Sequence, residues 1–320
     1  MRYLIYIVLV FGLLGCGTSI RDNWDENSQM RSSHTGDTTT TKPKFDFYLG
    51  ASIGVSSNGE QTYRSGIYGR KSGGGDLVKF IDLDGKDNII DSFAVDTKGN
   101  IYWTDRSVHG IFMADAFGKN RRLLLSGLDI PFGIAVDEAH GRVYWSNWLQ
   151  SKDPQSGEVG YIDLSTGKVE RIVTKGLKSA GHLRVDQRTN KLYIADLMGG
   201  RILSVGLDGG ETDIVADINH VSQPGQMDMD PSGKYLFACD ISEDKIVRID
   251  LDTLVVHDIV TFVDAFANPE ALAYSAKENK LYFVTNENGN PVLWRVDIDG
   301  KNREKMTLAL PNGVFAVQIP

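Results

Sequence analysis

Phe93-Ala94-Val95-Asp96, followed after a short turn by Tyr102-Trp103-Thr104-Asp105, is the stretch that decides the fold. An apolar-x-apolar-Asp strand, a turn and an aromatic strand ending in a polar residue make one hairpin, and the hairpin repeats. The other copies run Ile134-Ala135-Val136-Asp137 to Tyr144-Trp145-Ser146-Asn147, Leu183-Arg184-Val185-Asp186 to Tyr193-Ile194-Ala195-Asp196, Met227-Asp228-Met229-Asp230 to Phe237-Ala238-Cys239-Asp240, and Leu272-Ala273-Tyr274-Ser275 to Tyr282-Phe283-Val284-Thr285. Their last residues, 105, 147, 196, 240 and 285, are 42, 49, 44 and 45 apart. A second element, an alternating strand leading into an Asp-Gly-like turn, occurs six times, as in Phe80-Ile81-Asp82-Leu83-Asp84-Gly85 and Arg295-Val296-Asp297-Ile298-Asp299-Gly300. Such turns accept the positive φ of a tight hairpin, so each copy predicts strand, turn, strand.

Four short strands per repeat of ~45 residues predict an all-β, six-bladed β-propeller over residues 45–320. The last blade is split. Pro311-Asn312-Gly313-Val314-Phe315-Ala316-Val317 repeats the innermost strand Pro131-Phe132-Gly133-Ile134-Ala135-Val136, and then the sequence stops. Phe47–Ile53, Asp76–Leu83 and Asn88–Ile90 are expected to supply the remaining strands of that blade, leaving no free radial edge.

The YWTD tetrad at 102–105, the weaker Tyr144-Trp145-Ser146-Asn147 and the spacing to Pro-x-Gly-Ile-Ala-Val-Asp resemble the YWTD six-bladed propeller of low-density lipoprotein receptor family proteins and nidogen. The resemblance covers nearly the whole body and implies the same fold. The cysteine-rich growth-factor-like modules that neighbour such propellers in animal receptors are absent from this sequence, so receptor partners do not carry over.

Composition narrows the class. The chain has 320 residues, 41% hydrophobic and 24% charged, with 34 Lys plus Arg against 42 Asp plus Glu, a formal charge of -8. An acidic globular chain is a poor match for a nucleic-acid phosphate backbone. Cys16 and Cys239 are too few for a disulfide scaffold, and neither CxxC nor HExxH occurs. Met1-Arg2 and the apolar run Tyr3–Leu14 read as a signal peptide over residues 1–15, too short for an ordinary membrane helix. Leu13-Leu14-Gly15-Cys16 resembles a bacterial lipobox, which implies acylation at Cys16 and membrane attachment through an N-terminal lipid. Residues 16–44 are polar, carry the Thr38–Thr41 run and one isolated Trp24, and read as a flexible tether with a reach of about 30 Å. The expected location is the outer membrane or cell surface of a bacterium.

Residues that recur around the ring are expected to be structural. The tetrad aromatics fill the wedge between blades, Asp96, Asp137, Asp186 and Asp230 accept turn amides, and Cys239 is a buried thiol. Function lies where the repeats differ. On the face where innermost strands begin, one register holds Asp91, Phe132, Gly181, Gly225, Glu270 and Asn312, and the next Ser92, Gly133, His182, Gln226, Ala271 and Gly313. Two stretches read as long loops on that face: Val55–Gly75, with Tyr63, Arg64, Tyr68 and Arg70, and Asn147–Glu158, with Trp148. Tyr, Trp and Arg are the types enriched at interface hot spots. The expected role is extracytoplasmic binding of a protein or glycan partner by a monomeric propeller. The alternative is catalysis: Asp91, Glu270 and Asn312 are hard ligands suited to Ca²⁺, and the channel position is similar to that of gluconolactonase or regucalcin-like propellers, implying a metal-dependent lactonase or esterase.

Overall fold

A computed structural model of the chain describes residues 45–57, 60–71, 74–83, 88–149, 157–262, 267–287 and 289–319. Residues 1–15, expected to be a signal peptide, Cys16 and the expected tether to residue 44 lie outside them. The described residues form 24 strands in six antiparallel sheets of four, with one turn of 3-10 helix, Leu197–Gly199, and no helix long and apolar enough to cross a membrane.

In chain order, β1 (Phe45–Ser57), β2 (Glu60–Lys71) and β3 (Leu77–Asp82) come first. Blade one is β4 (Ile90–Val95), β5 (Ile101–Asp105), β6 (Gly110–Ala114) and β7 (Arg122–Leu125). Blade two is β8 (Pro131–Asp137), β9 (Arg142–Asn147), β10 (Gly157–Asp163) and β11 (Val169–Leu177). Blade three is β12 (Ala180–Asp186), β13 (Lys191–Asp196), β14 (Arg201–Gly206) and β15 (Asp213–Ala216). Blade four is β16 (Pro224–Met229), β17 (Tyr235–Asp240), β18 (Lys245–Asp250) and β19 (Val256–Thr261). Blade five is β20 (Ala271–Ser275), β21 (Lys280–Glu287), β22 (Asn290–Asp297) and β23 (Glu304–Lys305). The closing blade has the order β24-β1-β2-β3, with β24 (Val314–Gln318) innermost. Strands β4, β8, β12, β16, β20 and β24 touch in cyclic order, so the ring is closed.

The tetrad explains the packing. Successive side chains of a strand point to opposite faces of its sheet, so the first two letters serve the two gaps flanking a blade. Tyr102, Tyr144, Tyr193, Phe237 and Tyr282 enter the gap after their own blade. Trp103, Trp145, Ile194, Ala238 and Phe283 enter the gap before it. Six clusters of buried side chains result, one per gap. Trp103 stacks on Phe112 with ring centroids 5.6 Å apart, and Phe237 on Tyr274 at 5.9 Å. The acids after the first strand accept turn amides: Asn100 N donates to Asp96, His140 N to Asp137, Arg188 N to Asp186 and Ser232 N to Asp230.

The closing blade departs from the expected strand assignment. Its second strand is β1, but the third is Glu60–Lys71; Leu77–Asp82 is the fourth, and Ile90 opens blade one. Val55–Gly75 is therefore mostly paired strand and not a long loop. The chain reverses between Ser57 and Glu60, which pair across the sequence Asn58-Gly59, a dipeptide suited to a two-residue hairpin turn.

Candidate functional site

The third tetrad letter builds the mouth of the channel. Thr104 Oγ1 donates to the Phe132 carbonyl of the next blade at 2.8 Å. Ser146 Oγ accepts from Gly133 N at 2.8 Å and donates to the Gly181 carbonyl at 2.7 Å. The Gly181 carbonyl comes so close that a Cβ on Gly133 would lie 2.2 Å from it, so only glycine fits. The fourth letter holds the loops on the same face: Asp196 Oδ1 accepts from Lys178 N and Ser179 N, and Asp240 from Ser222 N and Gln223 N.

On this frame sits an aromatic cluster drawn from two blades. The Phe132 ring meets Trp148 edge-on at 5.3 Å and His182 edge-on at 5.2 Å. Trp148 is positioned by its own backbone, its N–H donating to the Ile130 carbonyl at 2.8 Å and its carbonyl accepting from Ala180 N at 3.2 Å. Its indole Nε1 is buried with no acceptor among the described residues. Burial lowers the His182 pKa to about 4, so the imidazole is neutral. Further round the same face, Met198 and Ile218 are 51% and 65% exposed, extending an apolar surface away from the cluster.

The two carboxylates of the mouth are not equivalent. Asp91 Oδ2 is 3.3 Å from Arg106 Nε, within ion-pair range but out of line for a hydrogen bond. Burial raises its pKa to about 6 against the opposing pull of Arg106, with Asp105 adding to the rise. The Glu270 carboxylate has no hydrogen bond or ion pair among the described residues, and burial alone raises its pKa to about 7. Neither carboxylate perturbs the other; the charge of Glu270 is felt instead at the buried Cys239 thiol. Asn312 is exposed at the start of the closing blade. Among the described residues no three His, Cys, Asp or Glu side chains gather as a metal-binding group.

Gln226 carries a role that sequence reasoning missed. Its Nε2 donates to the Val317 carbonyl at 2.9 Å, and its Oε1 accepts from Leu272 N at 3.0 Å and Val317 N at 3.2 Å. One amide thus ties the innermost strands of blades four, five and closing. The available signal was an amide side chain at a channel register otherwise held by His182 and the small residues Ser92, Gly133, Ala271 and Gly313.

The sequence-predicted contact residues separate. Phe132 and Trp148 come together at the mouth. Tyr63 and Arg64 lie on β2 opposite Gly54 and Ile53, in the part of the hairpin that rises on the mouth face. Tyr68 and Arg70 do not belong to that face: they pair with Lys79 and Leu77 towards the other end of β2. There Tyr68 packs into the gap between blade five and the closing blade, and the Arg70 guanidinium lies 5.9 Å from the Phe47 ring centroid. Arg70 also borders an open cavity of about 780 Å³ with Asp76, Met306 and Leu308.

Residues 99–138 match the family model for the low-density lipoprotein receptor repeat class B. Low-density lipoprotein receptor-related protein 4 of Rattus norvegicus is 25% identical over 213 residues, 65% of this chain and 10% of the receptor. The vitellogenin receptor of Solenopsis invicta is 32% identical over 119 residues, 36% of this chain and 6% of the receptor. The chain thus spans a small fraction of these relatives. Among solved structures, nidogen in a nidogen/laminin complex superposes with a TM-score of 0.67 at 17% identity, covering 85% of this chain and 97% of that one. TolB of Acinetobacter baumannii superposes at 0.65 with 14% identity, covering 85% and 66%. Tetrads, split blade and matched repeat agree: the chain is a six-bladed β-propeller whose residues 99–138 carry the low-density lipoprotein receptor class B repeat.

Proposed function

We propose that the chain is an exported, lipid-anchored propeller that binds a protein partner on its mouth face. In this reading residues 1–15 direct export, Cys16 is acylated, residues 16–44 are the tether and residues 45–320 are the binding domain. The observation that carries it is the Trp148–Phe132–His182 cluster, an aromatic group held on backbone hydrogen bonds with an indole N–H that has no acceptor among the described residues. Large aromatics in a half-buried, preorganised setting concentrate binding energy. The nidogen propeller was solved with laminin, a protein partner on the same fold.

The unpartnered Glu270 supports the alternative, a Ca²⁺-dependent lactonase or esterase, and one variant set separates the two. With partners captured from an extracytoplasmic extract and then purified, Phe132→Ala and Trp148→Ala should each weaken binding by about 1–3 kcal/mol while Glu270→Gln leaves it intact. Ca²⁺-dependent lactone hydrolysis lost in Glu270→Gln alone, with binding unchanged in both aromatic variants, is the result that would overturn the proposal. Capture of a glycan in place of a protein would redirect it.

A further inference from the structure

β1 and β2 are 13 and 12 residues long, against five to eight for the corresponding strands of the other blades. The excess lies beyond the sheet. β24 pairs with β1 from Tyr48 to Ala51, and the last bond between them runs from Ser52 N to the Gly313 carbonyl at 3.0 Å. On the other side, β3 pairs with β2 from Gly66 to Arg70, and Leu83 N reaches the Ser65 carbonyl at 3.0 Å. Residues 53–57 and 60–64 remain paired to each other, so a two-stranded ribbon rises about 15 Å past the blade at ~3.4 Å per residue. Among the described residues, no strand covers either edge of it.

The register says which backbone groups have no strand partner among the described residues. Ser52 N points to β24, and N–H direction alternates along a strand, so the N–H and C=O of Gly54 and Ser56 point out on the same, inner edge. Their partners in the ribbon, Tyr63 and Gln61, point out on the opposite, outer edge by the same rule. The two edges differ in protection. Each of the six outermost strands carries at least one charged residue, and the ribbon's outer strand carries Glu60 and Arg64. Ile53-Gly54-Val55-Ser56-Ser57 has no charge and no proline, the usual devices against edge pairing, and holds two β-branched residues.

We infer that the inner edge of this ribbon is a strand-addition site for an extended, uncharged peptide segment of the partner, with β-branched or apolar residues at alternate positions. The incoming strand takes the place directly beyond the start of β24, where the inner strand of the ring has ended and the β1 ladder continues uncovered. Gly54 and Ser56 give it two donors and two acceptors, and alternate side chains meet the register positions of Ile53 and Val55. A single strand fills that place; a second copy of the chain would have to bring its whole ring over the same mouth. The inference rests on the mouth face being the partner-binding face and adds the mode of recognition.

The test uses the full chain and a displayed library of random linear dodecapeptides. Ser56→Pro removes one outward-pointing N–H from the inner edge; Gln61→Pro does the same, at its cross-strand partner, on the outer edge; Ser56→Ala keeps the N–H. Enriched peptides should lose about tenfold or more in affinity on Ser56→Pro, hold on Gln61→Pro and Ser56→Ala, and lose binding when N-methylated at alternate residues only. Enriched peptides that bind Ser56→Pro as well as wild type, an equal loss on both proline variants, failure to enrich any peptide, or self-association of the chain that Ser56→Pro abolishes would each overturn strand addition. Peptides indifferent to Ser56→Pro but lost on Phe132→Ala would remove strand addition and leave the binding face standing.

Discussion

At the residue scale, the chain separates letters that build from letters that differ. Gly133 belongs to the first kind: its missing side chain lets Ser146 bridge two inner strands, and the obstructing atom for any larger residue is a backbone oxygen that cannot swing away. Gly133→Ala should destabilise the fold by about 1–3 kcal/mol, read from urea unfolding, while Gly141→Ala, with open space around it, should cost only the strain of its positive φ. Glu270 belongs to the second kind. Its pKa is raised from 4.5 to about 7, so the folded chain holds a proton that the unfolded chain has released. Stability from this group is complete below the unfolded value and is lost as pH rises through 4.5 to about 7. Glu270→Gln should therefore stabilise the chain at pH 8 by about 1–3 kcal/mol and do nothing at pH 4; equal melting shifts at both would refute the assignment. His182 runs the other way, losing stability as pH falls from 6.5 towards 4. That Phe132 and Trp148 share the mouth face was legible from the register of the innermost strand and from the loop after the second tetrad. Tyr68 and Arg70 read as loop residues but lie on β2, because residue type does not distinguish a loop from a paired strand at a blade edge.

At the scale of elements, repeated hairpins were readable because each apolar-x-apolar-Asp strand and aromatic strand is short and bounded by a turn signal. The closing blade resisted because its β1–β2 hairpin is about twice as long as the others, and the stretch Val55–Gly75 reads as loop. Ser57 and Glu60 flank Asn58-Gly59, and alternation on both sides was weak because Gly54, Ser56, Ser57 and Gln61 are small or polar. Pairing across the seam of the ring was foreseen, and its clamp was not: Gln226 joins β16 to β24 over 91 residues of sequence, which no local pattern encodes. Gln226→Ala should cost about 2–3 kcal/mol, because the Val317 and Leu272 groups it satisfies are left buried. Deleting residues 311–320 removes β24 altogether, uncovers Leu49, Ala51 and Tyr282 in the last gap, and should give insoluble or loosely folded protein. A truncated chain that melts as wild type does would contradict the seam.

At the scale of the whole molecule, a closed ring repeats its interior around six blades, and the departures gathered at one mouth, the Phe132–Trp148–His182 cluster and the long β1–β2 ribbon, are the argument for binding there. The export and anchoring proposal makes an independent prediction: expressed in a bacterium, the chain should fractionate with membranes and be released by detergent, and Cys16→Ser should free it or block maturation. Soluble, unacylated protein beginning near Thr18 would contradict it. The central claim, that the mouth formed by Phe132, Trp148 and the β1–β2 ribbon is where a partner docks, is tested most directly by hydroxyl-radical footprinting of the full chain with and without its captured partner. Protection is expected at Phe132, Trp148, Met198 and Tyr63, with Phe117, Leu123 and Leu254 labelled equally in both states; protection of Phe117, Leu123 or Leu254 with Phe132 and Trp148 unchanged would contradict it.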